Sequence, residues 1–230
     1  RPAYDARKWL PTDRKVRFDE LVDHPSQLRS GGTFPDPIAV HFRLAPDLFV
    51  LPRTSIPMEL SYRYTPPGED AKASVRVRIN DALMGYEVLE SDESATAPVV
   101  RRVAALDAMA GFLRALSLPT VHLDAANTLE FDFQYDVAVT DSSLPGKCPS
   151  VSLTENQVEI DPASTLDFRG FYHYAELPNL RLFTLSGYPY SRFADLAQTT
   201  VVLPKNPEAQ DVSTMLAAVG RIGSQTGTAG

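Results

Sequence analysis

The chain has 230 residues, 43% hydrophobic and 22% charged, a globular balance that excludes wholesale disorder. A formal net charge of -7 and a pI near 5.1 argue against the clustered basic surface a polyanion needs, so no nucleic acid is expected as a partner. No stretch approaches the roughly 20 apolar residues that span a bilayer.

The chain opens Arg1-Pro2-Ala3-Tyr4 with neither initiator Met nor apolar leader, and both ends read as cut from something longer. Residues 1–34 are charged and broken by prolines and glycines, which predicts a leading linker with one short element around residues 16–22. Strand periodicity then begins. Ile38, Val40 and Phe42 alternate with polar or small neighbours, as do Met58, Leu60, Tyr62 and Tyr64. Thr65-Pro66-Pro67-Gly68 ends that run, because proline cannot donate to a ladder and glycine supplies a turn. Val75, Val77 and Ile79 form the next strand before Asn80-Asp81, and residues 85–89 another. Leu129, Phe131, Phe133, Tyr135 and Val137 give the clearest alternation.

Between Val100 and Leu118, apolar residues at three-to-four spacing predict an amphipathic helix. The expected domain is therefore a mainly β sandwich or jelly roll over residues 35–150, with a helix across it. Residues 151–230 read differently. Leu177 to Phe183 predicts a short helix tolerating Pro178 in its first turn, and Thr199 to Leu203 a buried strand. Asn206 is expected to cap a helix carrying Val212, Met215, Leu216 and Val219 and ending near Gly220 or Gly223. Strand, cap and helix suggest the truncated beginning of an α/β layer, with exposed apolar surface and low solubility if expressed alone.

Residues for catalysis are scattered. His24, His41, His122 and His173 show no metal-ligand spacing, so they read as ordinary surface or core histidines, with no metal expected. Asp132 and Asp136 share one strand face but read as solvated charges, and no Gly-x-Ser-x-Gly elbow is present. Gly220-Arg221-Ile222-Gly223 reads as a helix cap and turn rather than a phosphate loop. Cys148, the one cysteine, is a buried apolar residue, a free thiol or half of a bridge to a partner elsewhere. Aromatic rings are the stronger lead, because flat rings cover the apolar C–H face of a sugar. Tyr62, Tyr64 and Tyr86 on strands, and Tyr188 and Tyr190 in a turn-rich segment, are the candidate carbohydrate platforms, each weighed against a place in the core. Arg192 and Asp195 are candidates for a structural ion pair holding that segment.

A longer pattern runs through residues 164–227. It comprises Ser164-Thr165-Leu166-Asp167-Phe168, then Leu177-Pro178-Asn179-Leu180, then Gly187-Tyr188-Pro189-Tyr190-Ser191-Arg192-Phe193-Ala194-Asp195-Leu196. Gly220-Arg221-Ile222-Gly223 through Gly227 closes it. This resembles the periplasmic B subunit of bacterial cellulose synthase, also called the cyclic di-GMP-binding protein family, departing mildly where Tyr replaces Phe twice in GYPY and where Ala197 replaces Ser. Patchier similarity lies upstream, at Phe42 to Leu48, Leu60 to Thr65 and Asn127 to Phe131.

The resemblance implies a jelly-roll carbohydrate-binding-like domain followed by the start of a flavodoxin-like α/β domain. It also implies a periplasmic, non-catalytic subunit without cofactor, attached to the inner membrane through parts outside this chain. Its implied partners are the catalytic subunit and the nascent β-glucan. Two other readings stay open: a protein scaffold that never touches glucan, and, more weakly, a cyclic di-GMP sensor, for which no RxxxR with a downstream D-x-S-x-x-G is visible.

Overall fold

The computed structural model of the chain describes residues 3–6, 9–49, 55–68, 71–91, 99–103, 118–119, 123–136, 138–140, 150–152 and 155–227. Among these, the first strands are β1 (Lys15–Arg17), β2 (Arg29–Gly32), β3 (Ile38–Arg43), β4 (Leu48–Phe49), β5 (Ser55–Ile56) and β6 (Met58–Tyr64). Next come β7 (Ala73–Ile79), β8 (Ala82–Leu89), β9 (Val99–Val103), β10 (Leu118–Pro119) and β11 (Ala126–Tyr135). The short strands β12 (Ala138–Thr140), β13 (Ser150–Ser152), β14 (Asn156–Ile160), β15 (Thr165–Asp167) and β16 (Tyr172–His173) precede helices α1 (Leu180–Ser186) and α2 (Ala209–Thr226).

Two antiparallel sheets share one core. The first has the order β3-β11-β7-β8. The second is built on β6, which carries β9 along one edge and both β14 and β15 along the other. Beyond them, β2 pairs β14 and β1 pairs β15. Strand alternation sends Val75, Val77, Leu129, Phe131 and Phe133 inward from the first sheet, and Met58, Leu60, Tyr62, Tyr64 and Ile160 inward from the second. Tyr62 meets Phe133 edge-on across the core, with ring centroids 5.8 Å apart. Burying one such side chain contributes roughly 1.5–3 kcal/mol.

Turn chemistry fixes the register. Asn80 and Asp81, both at positive φ, form the two-residue turn between β7 and β8. The Asn80 side-chain amide donates to Asn127 Oδ1 at 2.9 Å, and its own Oδ1 accepts from the Thr128 N–H, pinning the hairpin to β11. Between β14 and β15 the ladder on β6 is interrupted, and Ser164 fills the gap. Its hydroxyl accepts from the Ser61 N–H at 3.0 Å and lies 3.2 Å from the Ser61 carbonyl, so both backbone groups keep a partner.

Several expectations are corrected. The leading segment is not a linker beyond residue 15. It supplies β1 and β2, and Val16, Phe18 and Leu28 enter the core. Likewise the sandwich does not end at 150, since β14, β15 and Phe168 belong to it. Residues 99–103 form an edge strand on β6 rather than the start of a helix, as their valines favour; the remainder of the predicted helix, to residue 117, lies outside the described residues, as do Val137 and Cys148.

In the C-terminal part, residues 199–203 are not a buried strand. They pair with no strand among the described residues, and Val202 is 85% exposed. Helix α1 starts after Asn179, whose side chain accepts from the Leu182 N–H at 3.0 Å, so Pro178 precedes the cap. Glu208, not Asn206, caps α2, with its N–H donating to Asp211 at 2.9 Å. The helix runs through Gly220 and Gly223 and ends at Gly227 in the left-handed conformation. Gly187 ends α1 in the same way, at φ 74°, and a Cβ there would lie 2.6 Å from Ile222 Cγ1. The two helices thus meet where only glycine fits.

Candidate functional site

The described residues present two arrangements with chemical character, a buried polar junction and an open sheet face. The junction centres on Asp47, which is 3% exposed and sits in the loop between β3 and β4. An isolated carboxylate at such depth is costly, so it must collect donors. The Tyr4 phenol donates to Asp47 Oδ2 at 2.5 Å, and His173 Nδ1 lies 3.1 Å from Oδ1. The Tyr4 ring stacks on His173 with centroids 3.7 Å apart, while the Arg192 guanidinium lies over the Tyr4 ring, 5.6 Å from its centroid. The Tyr4 N–H donates to the Arg192 carbonyl at 2.8 Å, and His173 Nε2 lies 3.3 Å from the Thr12 hydroxyl.

Burial first, then the hydrogen bond to Asp47, pushes the Tyr4 phenol well above the ordinary tyrosine value. Tyr188 is raised too, again by burial first and then by Asp47. Both phenols therefore remain protonated donors toward the carboxylate. Ala6, Trp9, Ala45 and Ala194 form a small apolar cluster beside them. Four separated segments, around residues 4, 47, 173 and 188–194, are held together here, binding the sandwich to the helical part. This is geometry for rigidity, with the carboxylate 3% exposed and both of its oxygens engaged.

The open face is the outer side of the first sheet. A bulge at Val77 and Arg78 sets Tyr86 opposite Arg76, and Arg76 opposite Asp132, in one row. Leu83, Arg78 and Glu130 make a second row, with Arg78 and Glu130 3.3 Å apart, and Val88, Ser74 and Gln134 a third. The Gln134 amide donates to Asp132 at 3.0 Å. Tyr86 is 61% exposed, at the edge of this hydrogen-bonding surface.

The candidate residues from the sequence are separated by the structure. Tyr62 and Tyr64 are each 1% exposed in the core, so neither can stack on a sugar; the Met58 and Leu60 face they share is the inner one. Their hydroxyls reach Glu87 and the Glu90 carbonyl at the sandwich rim. Tyr188 is enclosed in the junction, and Tyr190 is exposed beside Phe183. Tyr86 alone of the strand candidates faces outward. Arg192 and Asp195 do not pair with each other: Arg192 turns to Tyr4 and Phe193, and Asp195 accepts from the Ala197 N–H at 3.2 Å. Asp132 is engaged by Gln134 and Asp136 lies past the end of β11, so the two do not form an acid–base pair. No group of three or more His, Cys, Asp or Glu among the described residues is arranged to hold a metal, and none of their helices is long and apolar enough to cross a membrane. Asp47, Tyr4 and His173 carry no local signal, since their partners lie 43 and 126 positions away from Asp47.

The division of the structure at residues 168–173 is matched by two family models. One, described as "Cellulose synthase BcsB, second CBM domain", matches residues 15–165, and another, "Cellulose synthase BcsB, second FD domain", matches residues 173–230. The chain belongs to the cellulose synthase BcsB family. Relatives agree. A "Cyclic di-GMP-binding protein" of Escherichia coli (strain K12) is 37% identical over 227 residues, covering 99% of this chain and 29% of that protein. The protein of the same name from Xanthomonas axonopodis pv. citri (strain 306) is 38% identical over 99% of this chain and 28% of its own length. A "Cellulose synthase 2" of Novacetimonas hansenii is 36% identical over 98% of this chain and 14% of its own length. The chain therefore spans less than a third of these relatives. A structural likeness to dimeric latent PorU from Porphyromonas gingivalis, at TM-score 0.37 and 16% identity over 81% of this chain and 16% of that one, carries no weight.

Proposed function

We propose that the chain is a jelly roll and the opening of a flavodoxin-like α/β domain within a non-catalytic periplasmic subunit that supports a bacterial cellulose synthase and guides the nascent β-glucan. The observation that carries this reading is the open sheet face, with exposed Tyr86 in a row with Arg76 and Asp132. A pyranose ring offers an apolar face to tyrosine and hydroxyls to the charged and amide groups beside it. Two antiparallel sheets around one core support the jelly-roll part, and the capped α2 packed on α1 supports the α/β part. The printed name of the Novacetimonas relative supports assembly with a synthase catalytic subunit. Membrane attachment, in this reading, resides in parts of the protein beyond these residues.

The test is a titration of cellohexaose into the isotopically labelled chain, followed by heteronuclear NMR. Shifts should cluster at Tyr86, Arg76 and Asp132, and Tyr86→Ala should weaken binding about tenfold, or 1.4 kcal/mol. Absence of shifts at millimolar sugar would sink direct glucan contact by this chain.

A second reading, a scaffold that docks protein neighbours, is favoured by the exposed Leu180, Leu185 and Val202 of the helical part. Cyclic di-GMP sensing, suggested by the names of relatives, is weaker. A dinucleotide needs arginines gathered around one cavity, and of the two among the described lining residues of the cleft beside β3, Arg14 is paired with Glu20.

A further inference from the structure

A cleft of about 930 Å³ opens between the N-terminal segment, the β3 edge of the first sheet and the end of α2. Its volume is of the size that encloses a small ligand. His41 and Thr128 form its floor, paired at 3.0 Å through Nδ1 and the hydroxyl, and they lie on the same outer sheet face as Tyr86. The cleft is therefore where that face ends at its β3 edge, walled by Trp9, Asp5 and Asp23. Gly227 closes it from the helical part, and Arg43 ties that part to the sheet by donating to the side-chain Oε1 of Gln225 at 2.5 Å.

From this arrangement we infer that the cleft is a second saccharide site, holding a neutral hydroxyl-rich chain that runs on from the Tyr86 face; this rests on the glucan reading above. Charge decides the ligand class. Among the described lining residues the carboxylates Asp5, Glu20 and Asp23 outnumber the arginines: Arg14 pairs with Glu20 at 2.6 Å, Arg43 donates to the neutral side-chain amide of Gln225, and Asp5 and Asp23 lie exposed at the rim. A phosphate would meet a lining in which carboxylates outnumber guanidinium groups, which disfavours it. Sugar hydroxyls donate to carboxylates, and both donate to and accept from imidazole and hydroxyl groups. Pro11, Leu21 and Val22, half-buried in the lining, supply apolar surface for the ring faces. The site is composite, since the sandwich alone lacks the wall at Gly227.

Trp9 is the single tryptophan of the sequence, buried where the cleft lining meets the Ala6, Ala45 and Ala194 cluster, so its emission responds to changes at that wall of the cleft. Cellohexaose added to the intact chain should change Trp9 emission saturably. His41→Ala should weaken that response about tenfold, the loss of one good hydrogen bond at its upper limit. Ala126→Phe, at an exposed position on the cleft wall, should abolish it by filling the space. Tyr86→Ala should leave a Trp9 response of reduced affinity. NMR shifts at Tyr86 with a silent Trp9, or a Trp9 response indifferent to both cleft variants, overturns the cleft and leaves the sheet-face reading standing. Silence of both probes overturns both.

Discussion

Residues 15–168 and residues 173–227 handle their apolar side chains in opposite ways. In the first region the inward residues of two sheets cover one another, and Val40, Ile79, Leu129 and Phe131 lose all contact with water. In the second, Leu180 is 79% exposed, and Phe183, Leu185, Val202 and Leu216 are exposed as well, while Ile222 and Tyr188 are buried. A sandwich carries both halves of its core within one stretch of chain, whereas among the described residues no sheet covers the inner side of the two helices. What holds the helical part in place is local: Gly187 against Ile222, and the junction around Asp47.

That contrast can be tested at its strongest point first. Phe131→Ala should destabilise the chain by about 3–5 kcal/mol in urea unfolding, since it opens a cavity in a closed core. Leu180→Ala should stay within roughly 0.5 kcal/mol of wild type. A Leu180→Ala loss as large as that of Phe131→Ala would break the comparison. Next, Gly187→Ala should cost about 2–4 kcal/mol, combining a left-handed backbone with overpacking on Ile222. Faster amide exchange confined to α1 and α2 would show the two regions yielding separately; uniform loss of protection would show them to be one cooperative unit.

The smallest effect concerns pH. Tyr4 and Tyr188 have phenols raised above the ordinary value near 10, by burial first and then by Asp47. Above about pH 10 the unfolded chain releases protons that the folded chain retains, so the contribution is complete below that pH and declines as pH rises through the folded values. The melting temperature should stay level from pH 7 to 9 and fall beyond 10, less steeply in Tyr4→Phe. Because Tyr4 is only partly buried, the difference between the two proteins should stay below about 1 kcal/mol. Tyr188 and Tyr135, both raised first by burial, account for the slope that remains. Identical alkaline slopes would remove Tyr4 from the junction.

Much of the sandwich was legible because a period of two survives any context: Met58 to Tyr64 forms a strand over the whole expected span. Tyr62 and Tyr64, candidate carbohydrate platforms on their ring chemistry, alternate in phase with Met58 and Leu60, and that phase puts them in the core instead. The edge strand at residues 99–103 was missed because its valines were merged with the apolar spacing that follows. The strand expected at 199–203 failed because a β-branched run needs a neighbour to pair with, and none lies beside it among the described residues. Asp47 could not be found from sequence at all. Its burial depends on Tyr4, His173 and Tyr188 arriving from three distant segments, and no local pattern encodes that convergence.

The Ser164 patch has an arithmetic consequence. From Ile160 opposite Tyr62 to Thr165 opposite Glu59, five steps on one strand match three on the other, so the register jumps by two. An even jump preserves parity, and Val158 and Ile160 before it face the same core as Leu166 and Phe168 after it. The segment 161–164 therefore works as a spacer whose length matters only modulo two. Lengthening it by a pair of residues leaves the inside inside, whereas a single inserted residue would turn Leu166 and Phe168 out to water.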